Sequence, residues 1–271
     1  MNSLIDGYIR CPKDVRVAVL SSGGKDSTYA CWWAIMQGWE VEAMVTVHIT
    51  SDDSMMFQLP NTSLAGLQAH SIGTSWLPIL SDGTENDEID DLENGIRGRT
   101  DVNVAFDKVK NDTESINFPS DLVLQTEDLE IDALVVGALR SDYQKTRIER
   151  MCEKLGLISY CPLWHHNPEG HMNSLIKHGF DVRIVSVSTD GLGEEWLGQK
   201  ITQDSLEELT RISTKYRFNL DGEGGEFETI VVDAPHMSQP IAVSGHSNWK
   251  GNRGTWILES AKISLFEPSK P

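Results

Sequence analysis

The sequence is poor in cysteine, and this shortage excludes two kinds of site. Its four cysteines, Cys11, Cys31, Cys152 and Cys161, are far apart, with no Cys-x-x-Cys pair and no cysteine–histidine cluster at zinc spacing. We therefore expect reduced cysteines, either buried or without a specific role, and no metal or redox centre. Reduced thiols are typical of cytoplasmic proteins, so we expect a cytoplasmic location.

Long apolar runs are also absent. No run approaches the roughly 20 apolar residues that a membrane-crossing helix needs. The first residues, MNSLIDGYIRCPKD, lack the basic segment and apolar core of a signal peptide. We therefore expect no membrane partner.

Positive charge is scarce: 23 Lys and Arg face 41 Asp and Glu, which gives a net charge of -18. A nucleic-acid binder normally has a basic footprint, so we expect no nucleic-acid partner. The acid is concentrated in residues 82–93, DGTENDEIDDLE, with seven carboxylates. This segment predicts a solvated loop or a frayed helix start; the alternative is a docking site for a basic partner.

The chain of 271 residues is long enough for one large domain or two modest ones. Short apolar runs predict strands at residues 15–20, 39–50, 75–80, 132–139 and 158–164. Helical periodicity predicts helices at residues 27–37, 61–73 and 141–157. Strands that alternate with helices indicate an α/β domain with an open, mostly parallel sheet covered on both faces.

The pattern changes after Trp164, where HHNPEGH reads as a break. Residues 166–241 then predict a smaller α+β domain with a helix at about 204–216. Residues 242–271 form a tail of alternating segments, compatible with an edge hairpin. The predicted division is therefore 1–165, 166–241 and 242–271.

The first chemical motif is SGGKDS, residues 22–27, which joins the first strand to the first helix. A small-residue loop that feeds a helix N-terminus is an anion site, because its N–H groups and the helix dipole favour negative charge. Gly23 and Gly24 let oxygens approach the backbone. Lys25 adds a positive charge. Both the Walker A spacing and the dinucleotide fingerprint are missing.

Three more side chains complete this loop. Ser22 and Ser27 supply hydroxyl donors, and Asp26 can cap the helix or hold magnesium on a phosphate. The alternative is a tight turn that Asp26 caps without any ligand. The strand–loop–helix context favours nucleotide binding.

A second polar group follows the fourth strand, which ends at Gly137 and Ala138. Ligands of open α/β sheets lie in the crevice at the carboxyl ends of the strands. Arg147 lies four residues after Tyr143, so both can face one side of a helix, and its guanidinium could clamp a phosphate or a carboxylate. A surface ion pair is the alternative for Arg147.

A third motif, GEGGEFET, places Glu223, Glu226 and Glu228 among three glycines where a strand begins. Clustered carboxylates beside glycines suit a cationic ligand or magnesium. Turn and core residues without a ligand are the alternative.

The loop at residues 22–27 resembles the PP-loop of the ATP pyrophosphatases, which cleave ATP between its α and β phosphates. Together with GALRSDYQKTRIERMCEKLGLISYCPLW, GLGEEWLGQKI and GEGGEFETIVVDAP, it resembles the diphthine–ammonia ligase family over Val15 to Ile241. The resemblance implies a PP-loop sheet with a second α+β domain. Gln58 departs from the family, which often has histidine there, and cannot act as an acid or base near neutral pH.

The resemblance also implies roles for individual residues. Catalysis would depend on Lys25, Arg147 and Glu226, and Asp26 would bind Mg²⁺. ATP would contact the loop and three further residues, namely Val47, Gly137 and Ala138. The substrate would contact Ser141, Tyr143, Gln144, Glu223, Gly224, Gly225, Glu226, Glu228 and Thr229. Trp164 or Phe227 could hold its trimethylammonium group by a cation–π contact, and Asp233 could orient the pocket.

The reaction implied is the ATP-dependent amidation of diphthine on elongation factor 2, through an acyl-adenylate. A glutaminase of the N-terminal-nucleophile type needs an N-terminal cysteine, and Cys11 is not there, so ammonium is the expected donor. Two alternatives remain: a tRNA-modifying PP-loop enzyme, and a nucleotide-binding module without catalysis. The sequence leaves the oligomeric state open, a homodimer included.

Overall fold

The first half of the chain alternates strands with helices. The computed structural model describes residues 15–50, 62–84 and 87–264. In chain order, the elements of this half are β1 (Arg16–Leu20), α1 (Lys25–Met36), β2 (Glu40–Ile49), α2 (Leu64–Ile72), β3 (Ser75–Ser81), α3 (Asp87–Ile96), α4 (Val102–Asp112), β4 (Ile116–Asn117), β5 (Ala133–Val136), α5 (Asp142–Leu155) and β6 (Ile158–Tyr160).

Five of these strands form a parallel sheet in the order β3-β2-β1-β5-β6. Its central strand β1 is apolar and buried from Val17 to Val19, as a strand covered on both faces must be. The chain order reverses between β1 and β5, so the carboxyl ends of these two strands flank a crevice. The predicted α/β class with an open parallel sheet is confirmed.

The second half forms a smaller α+β unit, as the sequence predicted. Its elements are α6 (Pro168–Lys177), β7 (Asp181–Val187), a 3₁₀ helix (Glu194–Trp196), α7 (Gln203–Tyr216), β8 (Phe227–Asp233), β9 (Ile241–Lys250) and β10 (Arg253–Ile263). Its sheet has the order β4-β10-β7-β8, and β9 pairs with β10. Residues 241–263 thus form a hairpin whose second strand pairs antiparallel with β7.

The acidic segment is more structured than the sequence suggested. Most of it belongs to α3, and the side chains of Glu88 and Glu93 are buried. Glu93 accepts from Lys154 of α5 at 2.7 Å and pairs with Arg97 one turn later at 3.2 Å. Of the two expectations, a solvated loop or a helix start, the second fits this part, and Lys154 of α5 and Arg97 just after α3 compensate the buried Glu93 carboxylate.

The helices α1 and α2 bring the two sheets together. Tyr29 of α1 stacks on Phe180 with 5.8 Å between ring centroids, and its hydroxyl lies 2.9 Å from Ser174 of α6. Leu64 and Leu67 of α2 belong to the same buried cluster as the second sheet. This packing sets the strand β8 beside the loop that follows β1. No helix of the described residues is long and apolar enough to span a bilayer.

Candidate active site

The loop between β1 and α1 is held by hydrogen bonds of its own side chains. The Ser27 hydroxyl donates to the Gly24 carbonyl at 3.2 Å and accepts from the Ser22 N–H at 3.3 Å. The Gly23 N–H donates to Ser21 at 3.3 Å. Gly23 adopts φ 79°, a left-handed conformation that glycine tolerates without strain. The loop is thus a preformed turn that ends at the N-terminus of α1.

A buried ionic group opens α1. The Lys25 ammonium lies 2.9 Å from Asp26, and His171 of α6 lies 2.8 Å from the other carboxylate oxygen. Burial would lower the pKa of Lys25, but Asp26, Asp221 and Glu228 outweigh it, and the pKa is raised. For Asp26, burial opposes ionisation, while Lys25 and His171 prevail and lower the pKa. Both groups are therefore charged at neutral pH.

The end of β5 packs directly on this loop. A Cβ at Gly137 would lie 2.6 Å from the Ser27 nitrogen, so only glycine permits the contact. Ser141 caps α5 by accepting from the Gln144 N–H at 3.3 Å. The cap starts the helix so that Gln144 and Ile148 face the crevice.

The GEGGEFET segment is a turn that enters β8. Glu223 accepts from the Arg140 N–H at 2.9 Å, and burial raises the pKa of its carboxyl. Glu226 holds the turn itself, because it accepts from the N–H groups of Asn219 at 2.9 Å and Gly224 at 2.8 Å. We call residues 222–228 the acidic turn.

The β1–α1 loop, the end of β5 and the acidic turn enclose one cavity of about 420 Å³. Its lining includes the loop with the Lys25–Asp26 pair, and also Glu223 and Glu228 of the acidic turn. The predicted site residues that line it are Ser22, Gly24, Lys25, Asp26, Ser27, Val47, Gly137, Ala138, Ser141, Gln144, Glu223, Gly225, Phe227, Glu228 and Thr229.

Other predicted residues lie off the cavity wall. These are Gly23, Tyr143, Arg147, Gly224 and Glu226. The Arg147 guanidinium lies 5.2 Å from the centre of the Tyr143 ring, as the predicted shared helix face requires.

Of the three residues predicted to surround the trimethylammonium group, Phe227 lines the cavity, whereas Trp164 and Asp233 do not. Phe227 faces the Lys25 ammonium at 5.8 Å, whereas Trp164 has Lys145 at 5.1 Å from its ring. Asp233 lies at the far end of β8, near Asp181. Gln58 lies outside the described residues.

Sequence reasoning missed two residues that join the halves of the site. Asp221 is fully buried, and Arg140 donates to its two carboxylate oxygens at 2.6 and 2.7 Å. Arg140 follows β5, and Asp221 precedes the acidic turn. The available signal was that Arg140 stands within GALRSDYQ and that Asp221 directly precedes GEGGEFET. His171 was missed as well, because only the fold brings α6 to Asp26.

The fold and the cavity define an α/β protein with a cavity at the switch point of a parallel sheet, lined by the β1–α1 loop and an acidic turn. Two family models match the chain: the diphthamide synthase N-terminal domain over residues 15–115 and 100–159, and the C-terminal domain over residues 167–263. The chain belongs to the diphthamide synthase family.

Curated relatives agree with this assignment. The diphthine–ammonia ligase of Homo sapiens is 32% identical over 239 residues, which are 84% of this chain and 83% of that protein. The Bos taurus ligase is 31% identical with the same coverage. The Schizosaccharomyces pombe ligase is 28% identical over 85% of this chain but only 36% of its own, longer chain.

One similar solved structure is described as a predicted subunit of tRNA methyltransferase from Methanocaldococcus jannaschii. It is 15% identical, with a TM-score of 0.39 over 82% of this chain and 98% of that one. This likeness is too low to support an argument.

Proposed function

We propose that this protein is an AMP-forming ligase that converts diphthine on elongation factor 2 to diphthamide, with ammonium as the nitrogen donor. One observation carries the proposal: in a chain whose two halves match diphthamide synthase domains, the β1–α1 loop and the acidic turn open into one cavity. A reaction that joins ATP to a second substrate requires such a shared space.

The reaction has two steps. An oxygen of the diphthine carboxylate attacks the α phosphorus of ATP, the bond to the β-phosphate oxygen breaks, and pyrophosphate leaves. Ammonia then attacks the acyl carbon, the bond to AMP breaks, and a proton passes to solvent. Because the anhydride supplies the driving force, the protein mainly positions the substrates and stabilises charge.

The cavity suits a nucleotide triphosphate. Lys25 carries a charge that its acidic neighbours maintain, and it would hold the departing pyrophosphate together with the loop N–H groups. Leu20, Val47 and Ile148 provide apolar wall for the base.

Asp26 could serve as the one protein ligand of a magnesium ion. No group of three Asp, Glu, His or Cys among the described residues could hold a metal by itself. Magnesium, however, needs only one or two carboxylates when phosphates and water complete its shell, and Asp26 lines the cavity. Bound magnesium supplies positive charge beside the phosphates.

The acidic turn would bind the acceptor. Glu223 and Glu228 line the cavity and can face a trimethylammonium group, and Phe227 can add a cation–π contact. Ser141, Gln144, Gly225 and Thr229 complete this wall.

Further roles stay predictions. Arg147 and Glu226 are the predicted catalytic partners of Lys25, and Tyr143 and Gly224 are predicted to touch the substrate. The division at residues 165 and 241, a cytoplasmic location and a homodimer belong to the same set.

The test uses purified protein, diphthine-bearing elongation factor 2, ATP and either ammonium or glutamine. We expect amide formation, measured by mass spectrometry, with one AMP and one pyrophosphate per amide, and only with ammonium. Lys25→Gln should slow pyrophosphate release by about 100-fold, because a charge-assisted contact is lost. Lys215→Gln, at an exposed lysine of α7, is the matched control.

Each other outcome has a meaning. ADP in place of AMP, or equal rates with glutamine, would contradict the proposed chemistry. Binding of ATP without any pyrophosphate release would favour the non-catalytic module. Modification of tRNA, when tRNA replaces elongation factor 2 in the assay, would favour the RNA-modifying alternative.

A further inference from the structure

Gln68 of α2 is a fully buried amide that joins the two sheets at the β1–α1 loop. Its Nε2 donates to the Gly23 carbonyl at 3.0 Å and to the Val231 carbonyl of β8 at 2.7 Å. Both neighbours are acceptors, so only the NH₂ end of the amide can face them. The orientation of the Gln68 side chain is therefore determined by its surroundings.

The Gly23 carbonyl receives a second hydrogen bond, from the Val231 N–H at 3.0 Å. A trans peptide is planar, with its C=O and N–H pointing in opposite directions. Since the Gly23 carbonyl points towards β8, the N–H of Gly24 points away from β8. Gly24 lines the cavity, and no described residue accepts a hydrogen bond from its N–H.

The neighbouring N–H groups are used differently. The Gly23 N–H donates to Ser21, and the Lys25 N–H donates to Thr229 of β8 at 3.2 Å. The Ser22 N–H donates to Ser27. Among the four amides of residues 22–25, the Gly24 N–H is thus the donor left for a ligand.

We propose that Gln68 is a positioning residue: with Val231, it holds the Gly23–Gly24 peptide so that the Gly24 N–H donates to the phosphates of ATP. The inference rests on the proposed function, which puts ATP at this loop. The same hydrogen bonds connect the proposed ATP loop to the proposed acceptor site, because Val231 lies in β8, the strand that the acidic turn enters.

A purely structural role for Gln68 must be separated from this one. β8 is an edge strand of the second sheet, and Gln68 also satisfies its Val231 carbonyl. If this were the only role of Gln68, its loss would destabilise the fold but would not weaken ATP binding more than adenosine binding.

The experiment compares the dissociation constants of ATP and adenosine in the full chain. In Gln68→Met, which keeps the volume but removes both donors, we expect ATP to bind about tenfold more weakly, as for a lost hydrogen bond to a charged group. Adenosine has no phosphate, and its affinity should stay within about twofold. Ser71→Ala is the matched control: Ser71 is buried on the same helix and contacts Gln239, not the loop.

The outcomes are separable. If wild-type protein binds no ATP, the proposed function and this inference both fail. If it binds ATP but Gln68→Met weakens ATP and adenosine equally, or neither, only the inference on Gln68 is overturned.

Should Gln68→Met not fold, wild-type protein titrated with inorganic pyrophosphate gives a second test by NMR. We expect the Gly24 amide proton to move downfield more than that of Gly23. Equal shifts, or none at Gly24, would overturn the inference.

Discussion

His236 lies in the turn after β8, and both of its ring nitrogens are buried without a hydrogen-bond partner among the described residues. Its ring packs 6.2 Å from that of Phe180. Burial lowers the pKa of His236 from 6.5 to about 4, because the charged imidazolium would lose its hydration. The neutral ring is therefore part of the folded state.

This residue predicts acid sensitivity. Between pH 6.5 and about 4, the unfolded chain binds a proton at His236 that the folded chain does not. The free energy of unfolding should thus fall as pH falls through this window, by up to about 3 kcal/mol at its acid end. Urea unfolding of His236→Phe against pH should give a flatter profile than wild type.

Ile257→Phe, at an exposed position of β10 that carries no titrating group, is the control and should keep the wild-type profile. If His236→Phe has the same slope as wild type between pH 4 and 6.5, the acid sensitivity comes from another group.

At the scale of elements, the contact between β5 and α1 shapes the proposed nucleotide site. The backbone of Gly137 packs on the first turn of α1, where a Cβ would meet the Ser27 nitrogen at 2.6 Å and the Asp26 carbonyl carbon at 2.7 Å. Backbone atoms cannot move aside as a flexible side chain can. Glycine is required here to let the strand and the helix meet.

Gly137→Ala should therefore separate β5 from α1. We expect a loss of about 1–3 kcal/mol in the free energy of unfolding, as for overpacking of a core. ATP affinity should fall too, because Asp26 and Ser27 line the cavity. Calorimetry of unfolding and of ATP binding measures both effects.

Gly170→Ala on α6 is the matched control. There a Cβ would meet only the Asn167 side chain, at 3.6 Å, so we expect a gain of about 0.5–1 kcal/mol. A stable Gly137→Ala variant with normal ATP affinity would contradict the close-contact argument.

At the scale of the whole molecule, the Arg140–Asp221 ion pair ties the first sheet to the segment before β8. Asp221 is fully buried, whereas the Arg140 side chain is 26% exposed. Arg140→Leu leaves the buried carboxylate without its partner. The free energy of unfolding should fall by about 3 kcal/mol in urea, most of it the cost of the unpaired charge.

Adding Asp221→Asn to Arg140→Leu should recover part of this loss, because the neutral amide is easier to bury. Arg183→Leu is the control: Arg183 pairs with Asp181 two residues away on β7, and we expect less than about 1 kcal/mol. Equal losses in Arg140→Leu and Arg183→Leu would show that Arg140 does not hold the halves together.

Local patterns predicted most of the elements. Glycines, serines and Lys25 after an apolar run predicted the β1–α1 loop, and helical periodicity over residues 141–157 predicted α5. The burial of Glu93 in the acidic segment was not predicted, because its partner Lys154 is 61 residues away in sequence.

The sequence by itself determined the α/β class, the β1–α1 loop and the acidic turn, because each depends on residues that are neighbours along the chain. Only the tertiary structure decided that Gln68 and Val231 donate to the Gly23 carbonyl and that His171 meets Asp26. These contacts join residues 45 to 208 positions apart. Such pairs form only when α2, α6 and β8 pack around one loop, and no local pattern encodes that packing.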